Sequence, residues 1–562
     1  MPFDHSGHLD HSDRPAPKFR LTAYSAVRAV MLVISAAFLA LHALHLKADF
    51  PNYSPWMDWS KYTDEGWYGD AAIRHFQRGH WYVPGDFNPA AALPIWPLLE
   101  TGVFHFTGVS LAAARGLTVA VFALILIASY LLVRRGSTLA GAASPSDPSP
   151  RLAPAVAVLL LAVSPFCYAF MRLAILEPLL ILLTLLALLV ASHLRPWKKG
   201  SKQIVAPILF GLLVPAMILT KTTAVFLFPA IGWMLWVRVD CRLRSFLRIC
   251  LLPAGIAVAT WLAYYLAIVR PHFLLDYRYL FSANAYTGIT ASTALGILGN
   301  TIADGVWIGR ILFPLALLAI FVATLNPQIS RRNPLVPALL FWAAGYASFL
   351  AYHNNLQPRY YLVIAIPLTL LVPIVFEELW LTKSDTRNLP IAAFAVIAAL
   401  ILTVTLDARQ TLRYVRTPQY TFTQAAAHIE QIIAADRRID PTHNPLVLSI
   451  SGSDLSLMTG LPSICDDFGT MELPARVAAY HPGWFVTWNQ VDDDKMDALA
   501  PFYHLQRIAE FPAMDDPDRN LLILYRLDRA APTLPRPLRR KPVPHLLQTL
   551  LGQQPSTTQL EH

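Results

Sequence analysis

Along this chain of 562 residues, apolar positions come in long unbroken runs. Elsewhere they alternate, or recur every three to four residues. A run of about 20 apolar residues crosses a hydrocarbon core as a helix. Such runs fall at roughly 23–46, 110–133, 152–171, 176–194, 203–220, 222–237, 249–269, 306–325, 335–352, 360–377 and 389–406, which predicts about eleven crossings. The fold class expected is therefore mainly α, a polytopic membrane helix bundle.

Basic residues punctuate alternate connections: Arg14, Lys18 and Arg20; Arg134, Arg135 and Arg151; Arg195, Lys198, Lys199 and Lys202; Arg238, Arg242, Arg244 and Arg248; Arg331 and Arg332; Lys383 and Arg387. By the bias of Lys and Arg toward cytoplasmic loops, the N-terminus is placed inside and everything after Asp407 outside. Outward connections are then 47–109, 166–177, the Thr220-Lys221 turn, 270–305 and the turn from His353 to Arg359. Lys221 is the sensitive point, because merging the runs on either side of it would reverse every later loop.

Two segments depart from the uniform pattern. Within 62–89, Thr63-Asp64-Glu65 opens a helix that runs to about Arg78 and stops at Gly79, with Trp67, Tyr68, Ala71, Ala72 and Phe76 recurring at three to five. It is expected to lie in the interface with its aromatics at headgroup level. From Pro445 the composition becomes that of a soluble domain. PLVLSISGS, WFVTWN and NLLILYRL predict strands of a small α/β domain, led by an amphipathic helix near 423–435. The organisation expected is a cytoplasmic tail at 1–20, a membrane domain at 21–406, an extracytoplasmic domain at 407–530 and a flexible basic tail at 531–562.

Composition sharpens this picture. Charged residues make up 14% of the chain against 55% hydrophobic, and mean hydropathy is +0.44, where soluble domains carry about 25% charged residues. The net charge of +9 lies mostly in short loops as an orientation signal, which excludes nucleic acid as the partner. Cys167, Cys241, Cys250 and Cys465 show neither disulfide nor zinc spacing. His5, His8 and His11 belong to a short polar tail that needs no metal to explain it.

Ionisable residues near bilayer depth call for a reason. Arg172 and Glu177 stand at one outward turn, where they could pair to close it; Lys221 could snorkel to the headgroups; Arg359 and Tyr360 could anchor a span at the interface. Asp64 and Glu65 could be no more than helix-capping acids. Taken together, these groups sit on separate spans at the same face, and their sum predicts an outward-facing polar cavity.

At this point the sequence resembles the GT-C superfamily of polyprenyl-phosphate-sugar-dependent glycosyltransferases, in the branch of the protein O-mannosyltransferases and the bacterial lipid A aminoarabinose transferase. The motifs are DEGWYGDAA with RGHWYVPGDFNPAAALPIWPLLE, SLAAARGLTVAVFALIL, MRLAILEPLLILLTLLALL, LTKTTAVFLFP and PRYYLVIAIPLTLL, in the family's order over most of 20–406. The resemblance implies that the acidic pair of the first outer loop bears the catalytic carboxylate, at Asp64 with Glu65 beside it. The family often has Asp where this chain has Glu177.

Transfer of a sugar from a lipid phosphate develops positive charge at the anomeric carbon and negative charge on the departing phosphate. Arg172, Lys221 and Arg359, with Tyr360, are the candidates for binding that phosphate, and Glu177 and His353 are supporting residues. Asp64 would take the proton of the acceptor, and attack opposite the phosphate predicts inversion. No ligand spacing demands a divalent metal, although gathered acids are compatible with one, so no cofactor is required.

The partners expected are a polyprenyl-phosphate-sugar donor, an envelope acceptor (protein, lipid A or glycan) and the bilayer of the inner membrane. His272, Asp276, Tyr277 and Arg278 border the 270–305 loop and are more simply part of an interfacial helix than acceptor contacts. The rival class is a transporter or flippase of lipid-linked sugars, which would place its polar sites on broken helices at the midplane. Here they sit at one rim.

Overall fold

The computed structural model describes residues 18–139, 151–194, 204–283, 291–303, 307–352, 357–382, 389–489, 493–514 and 519–530. His5, His8, His11, His353 and the 531–562 tail lie outside the described residues.

The chain is a polytopic helix bundle carrying a small sheet at its C-terminal end. Six described helices are long and apolar enough to cross a membrane: Ala23–His42, Leu111–Leu139, Leu176–His193, Leu243–Ser282, Pro358–Leu381 and Ile391–Ile439. Five shorter apolar helices accompany them at Ala153–Val163, Val205–Thr220, Thr222–Arg238, Leu312–Leu325 and Leu335–Ala351. Helices suit this setting because each closes its backbone hydrogen bonds internally, and interior prolines such as Pro367 and Pro373 are tolerated where neighbours cover the freed carbonyl. Leu176–His193 and Pro358–Leu381 are buried over most of their length, whereas Leu243–Ser282 is mostly exposed, which puts the first two at the centre of the bundle.

Several boundaries differ from expectation for local reasons. The run at 152–171 breaks at Ser164, whose hydroxyl accepts from the Cys167 amide, and a short helix Pro165–Phe170 follows. At Lys221 the backbone is extended (φ −157°, ψ 125°), so Val205–Thr220 ends there and a 3-10 turn, Thr222–Leu227, begins the next element. The two runs around Lys221 are thus separate elements. The expected 270–305 loop is largely helical, since Leu243–Tyr264 continues through a π-helical stretch at Tyr265–Phe273 into Leu274–Ala283. A π turn absorbs Pro271, which the sequence presents as a stop.

In the C-terminal region five strands, β1 (Val447–Leu448), β2 (Ser463–Ile464), β3 (Trp484–Trp488), β4 (Tyr503–Pro512) and β5 (Leu521–Arg529), form one mixed sheet in the order β2-β1-β3-β5-β4. β1 runs parallel to β2 and β3, and β5 antiparallel to β3 and β4. The lead-in helix is Thr421–Ile439. Its apolar residues Phe422, Ala426, Ile429 and Ile433 pack on the sheet together with Tyr62 of the first loop. The sheet therefore shares its core with the membrane domain's largest loop.

Candidate active site

The Asp64–Arg78 helix ends at Gly79, which takes the left-handed conformation (φ 76°) that glycine adopts without steric cost. The helix is more enclosed than one resting on lipid, and its residues divide among three faces. Glu65, Gly69, Ala72 and Ile73 face the bundle. Glu65 is held by the Arg115 guanidinium at 2.8 and 2.5 Å and accepts from the Ala174 amide at 2.8 Å. Gly66, Asp70 and Gln77 face the Gly452–Thr459 helix of the C-terminal region, which begins just after β1. A Cβ at Gly66 would strike the Ser453 backbone, so the close approach of these two helices requires glycine there.

The third face, Asp64, Trp67 and Tyr68, lines a cavity of about 390 Å³. Asp64 is 2% exposed and its Oδ1 accepts from the Thr63 hydroxyl at 3.0 Å. Burial pushes its carboxyl above the usual carboxylate range; Arg359 opposes the rise, and Asp58 and Glu177 add to it. The Arg359 guanidinium stands 3.1 Å from Asp64 Oδ2 and 3.8 Å from Glu177, and it also pairs with Asp58, which accepts from the Arg359 amide at 2.7 Å as well.

The Lys221 ammonium pairs with Glu177. Both cations lie over the Tyr360 ring, with Lys221 Nζ at 4.5 Å and the Arg359 guanidinium at 4.8 Å from its centroid. Gly345 helps place Lys221: a Cβ there would hit the Phe226 carbonyl, and only glycine lets Leu335–Tyr352 come this close to the turn that follows the lysine. Trp67 meets Phe87 and Phe468 edge to face at 5.1 and 5.2 Å, and all three line the chamber. Phe468 comes from the C-terminal region, which therefore supplies part of the wall.

The chamber gathers Asp64, Lys221, Arg359 and Tyr360 on its lining, and Glu177 directly behind the two cations. It does not gather Glu65 or Arg172. Arg172 donates to the carbonyls of Leu44 and His45 at 2.7 and 2.6 Å and lies 4.5 Å from the Tyr168 ring centroid. It does not pair with Glu177; each instead finds a partner on another element. Asp276 is buried and accepts from Tyr82 and Asn88 at 2.8 and 2.9 Å, tying the first loop to Leu274–Ala283. His272 and Arg278 are exposed, and neither they nor Tyr277 lines the chamber.

Asp58, Arg115 and Phe468 were not singled out from sequence. Arg115 carried the clearest signal, as a cation inside an apolar span. Among the described residues no group of three His, Cys, Asp or Glu side chains stands in metal-binding arrangement.

Next to the chamber lies a second cavity of about 420 Å³, lined by Ala71, Tyr82, Ala91, Leu98, Tyr264 and Phe273 among others and sharing Pro89 with the first. It is almost wholly apolar and is walled on one side by the long, mostly exposed helix.

No protein-family model and no curated protein matches the sequence. The fold is similar to that of solved structures. The crystal structure of ArnT from Cupriavidus metallidurans in the apo state is similar over 89% of this chain and 98% of its own, with a TM-score of 0.56 at 14% identity. The same protein bound to undecaprenyl phosphate is similar over 93% and 100%, with a TM-score of 0.52 at 15% identity.

Proposed function

We propose that the protein is an inverting membrane glycosyltransferase that moves a sugar from a polyprenyl-phosphate donor to an acceptor in the cell envelope. The supporting observation is the single chamber that brings together the Asp64 carboxylate, the Lys221 and Arg359 cations and the Tyr360 ring from three separate elements. Likeness of fold to a protein whose structure holds undecaprenyl phosphate agrees with this reading.

In the proposed reaction the donor phosphate lies against Lys221 and Arg359, which neutralise the charge that collects as the sugar leaves. In such a site the loss of one donor costs about 10²- to 10³-fold in rate. Asp64, on the facing helix, accepts the acceptor's proton as the new bond forms at the anomeric carbon. Glu177 and Asp58 hold the two cations in place. Trp67, Phe87 and Phe468 offer aromatic faces to the sugar, and the adjoining apolar cavity gives the lipid tail a way to stay in the bilayer. In this reading Glu65 and Arg172 build the scaffold, the chamber faces outward and the N-terminus is cytoplasmic.

The test is mass spectrometry of envelope lipids, glycans and proteins from a strain lacking the gene, complemented with the wild type or with Asp64→Asn. The expected result is loss of one glycosylated product and accumulation of donor lipid in both the deletion and the variant. Unchanged glycosylation with the variant protein present in the membrane would overturn the proposal.

A further inference from the structure

A groove of about 770 Å³ lies apart from both cavities, between the last turns of Leu389–Arg416 and the Gly309–Arg310–Ile311 segment that precedes Leu312–Leu325. It shares no lining residue with the chamber. On the helix side Arg409, Arg413 and Arg416 follow one another at spacings of four and three, which puts them on one face. Arg310 stands on the opposite wall. All four are exposed, and among the described residues no carboxylate forms an ion pair with any of them. The single acid of the lining is Asp407.

The groove is graded along the helix. Thr403 and Leu406 line its earlier turn and Arg409, Arg413 and Arg416 its later ones, while Pro165 and Ile311 add apolar lining from other elements. The helix has 28 residues, about 42 Å at 1.5 Å per residue, against a hydrocarbon core of about 30 Å. The excess of about 12 Å corresponds to about eight residues at 1.5 Å each, so its last residues, 409–416, reach headgroup depth. They do so on the chamber's side of the membrane, since Arg413 lies 5.6 Å from the Tyr53 ring of the first loop and Tyr53 hydrogen-bonds Thr417.

We propose that this groove binds the phosphate-bearing headgroup of an anionic lipid from the chamber-side leaflet. Guanidinium groups grip phosphate bidentately and remain charged at every physiological pH, and four arginines line this one groove with Asp407 the single acid of its lining. If the chamber faces outward, as proposed above, the cluster also runs against the bias that keeps Arg on the cytoplasmic side, and a ligand accounts for it. The apolar lining selects an amphiphile over a free anion, because it would accept the first carbons of acyl chains that a soluble phosphate lacks.

The experiment uses the full chain in phosphatidylcholine nanodiscs containing phosphatidylglycerol, with retained lipid counted by native mass spectrometry. Wild type is expected to retain phosphatidylglycerol over phosphatidylcholine, and millimolar inorganic phosphate should not displace it. Arg409→Gln/Arg413→Gln is expected to lower retention about 25-fold, from roughly fivefold for each cation lost near a charged headgroup. Arg310→Gln, an exposed position on the other wall, is expected to lower it about fivefold without changing thermal unfolding. Equal retention by wild type and both variants would overturn the proposal, and displacement by inorganic phosphate would assign the groove to a free anion instead. Retention is measured in the resting protein, so its failure leaves the transferase proposal standing, and loss of that proposal leaves the lipid measurement intact.

Discussion

Replacing Asp64 by Asn separates chemistry from folding at the centre of the proposed reaction. Asn keeps an oxygen for the Thr63 hydroxyl and removes only the charge. Arg359 is not left uncompensated, because Asp58 still accepts from its amide and guanidinium and Glu177 remains 3.8 Å away. The lost carboxylate was itself disfavoured by burial and by two neighbouring acids, so the change in stability should stay within about 1 kcal/mol. Losing a general base costs about 10²- to 10⁴-fold in rate, or about 2.7–5.4 kcal/mol of barrier at 1.36 kcal/mol per tenfold.

The measurement is single-turnover transfer from a labelled polyprenyl-phosphate sugar, with membranes of the deletion strain supplying the acceptor, beside a thermal melt of the same preparation. The fall should appear in kcat, with KM for the donor unchanged or lower, since Arg359 has one carboxylate fewer to satisfy. The wild-type rate should rise with pH along a limb displaced above the ordinary Asp value of 3.8, and the variant's residual rate should lack that limb. A variant within threefold of wild type, or one whose activity falls only in step with its melting temperature, would refute the assignment.

Glu65→Gln should do the reverse: breaking a buried ion pair with Arg115 costs up to about 3–5 kcal/mol. It should lower the melting temperature sharply while kcat per folded molecule stays within a few-fold of wild type, as active-site titration would measure. Phe468→Ala should raise KM for the donor about 3- to 10-fold with kcat nearly unchanged, the worth of one aromatic contact being about 0.5–1.5 kcal/mol. Asp70 is pushed up to about 6, chiefly by burial and against the pull of Arg74. A carboxyl whose folded pKa is raised contributes stability that is full below 3.8 and lost as pH rises through about 6. Asp70→Asn should therefore flatten the fall of melting temperature across that window in a pH-resolved unfolding series.

The parts of the fold that were legible in the sequence rest on strong local physics. Uniformly apolar runs predict buried or spanning helices, and Gly79 ends the Asp64–Arg78 helix where a positive φ is needed. Lys221 interrupts two apolar segments because its charge must find Glu177. What was missed depends on partners distant in sequence. Arg172 and Glu177 are five residues apart, yet each is satisfied on another element, by the Leu44 and His45 carbonyls and by Lys221. β4 carries Arg507 and Glu510 and is only partly buried, as befits an edge strand, so its pattern reads as loop. β1 and β2 are two residues each, too short to show a period.

Asp64 and Glu65 were expected to share the catalytic position, and helix geometry alone argues against it. Consecutive residues on an α-helix point about 100° apart, so two neighbours cannot both face a narrow chamber unless the helix ends between them. Here the helix continues for four turns with three packed faces, and the phase that brings Asp64, Trp67 and Tyr68 to the cavity necessarily turns Glu65 toward Arg115 and Gly66 toward Asp454. An ion pair with Arg115 on one side and a glycine contact on the other fix the rotation of the helix about its axis. A carboxylate one position away from the proposed base can thus set the direction in which Asp64 points without itself lining the chamber.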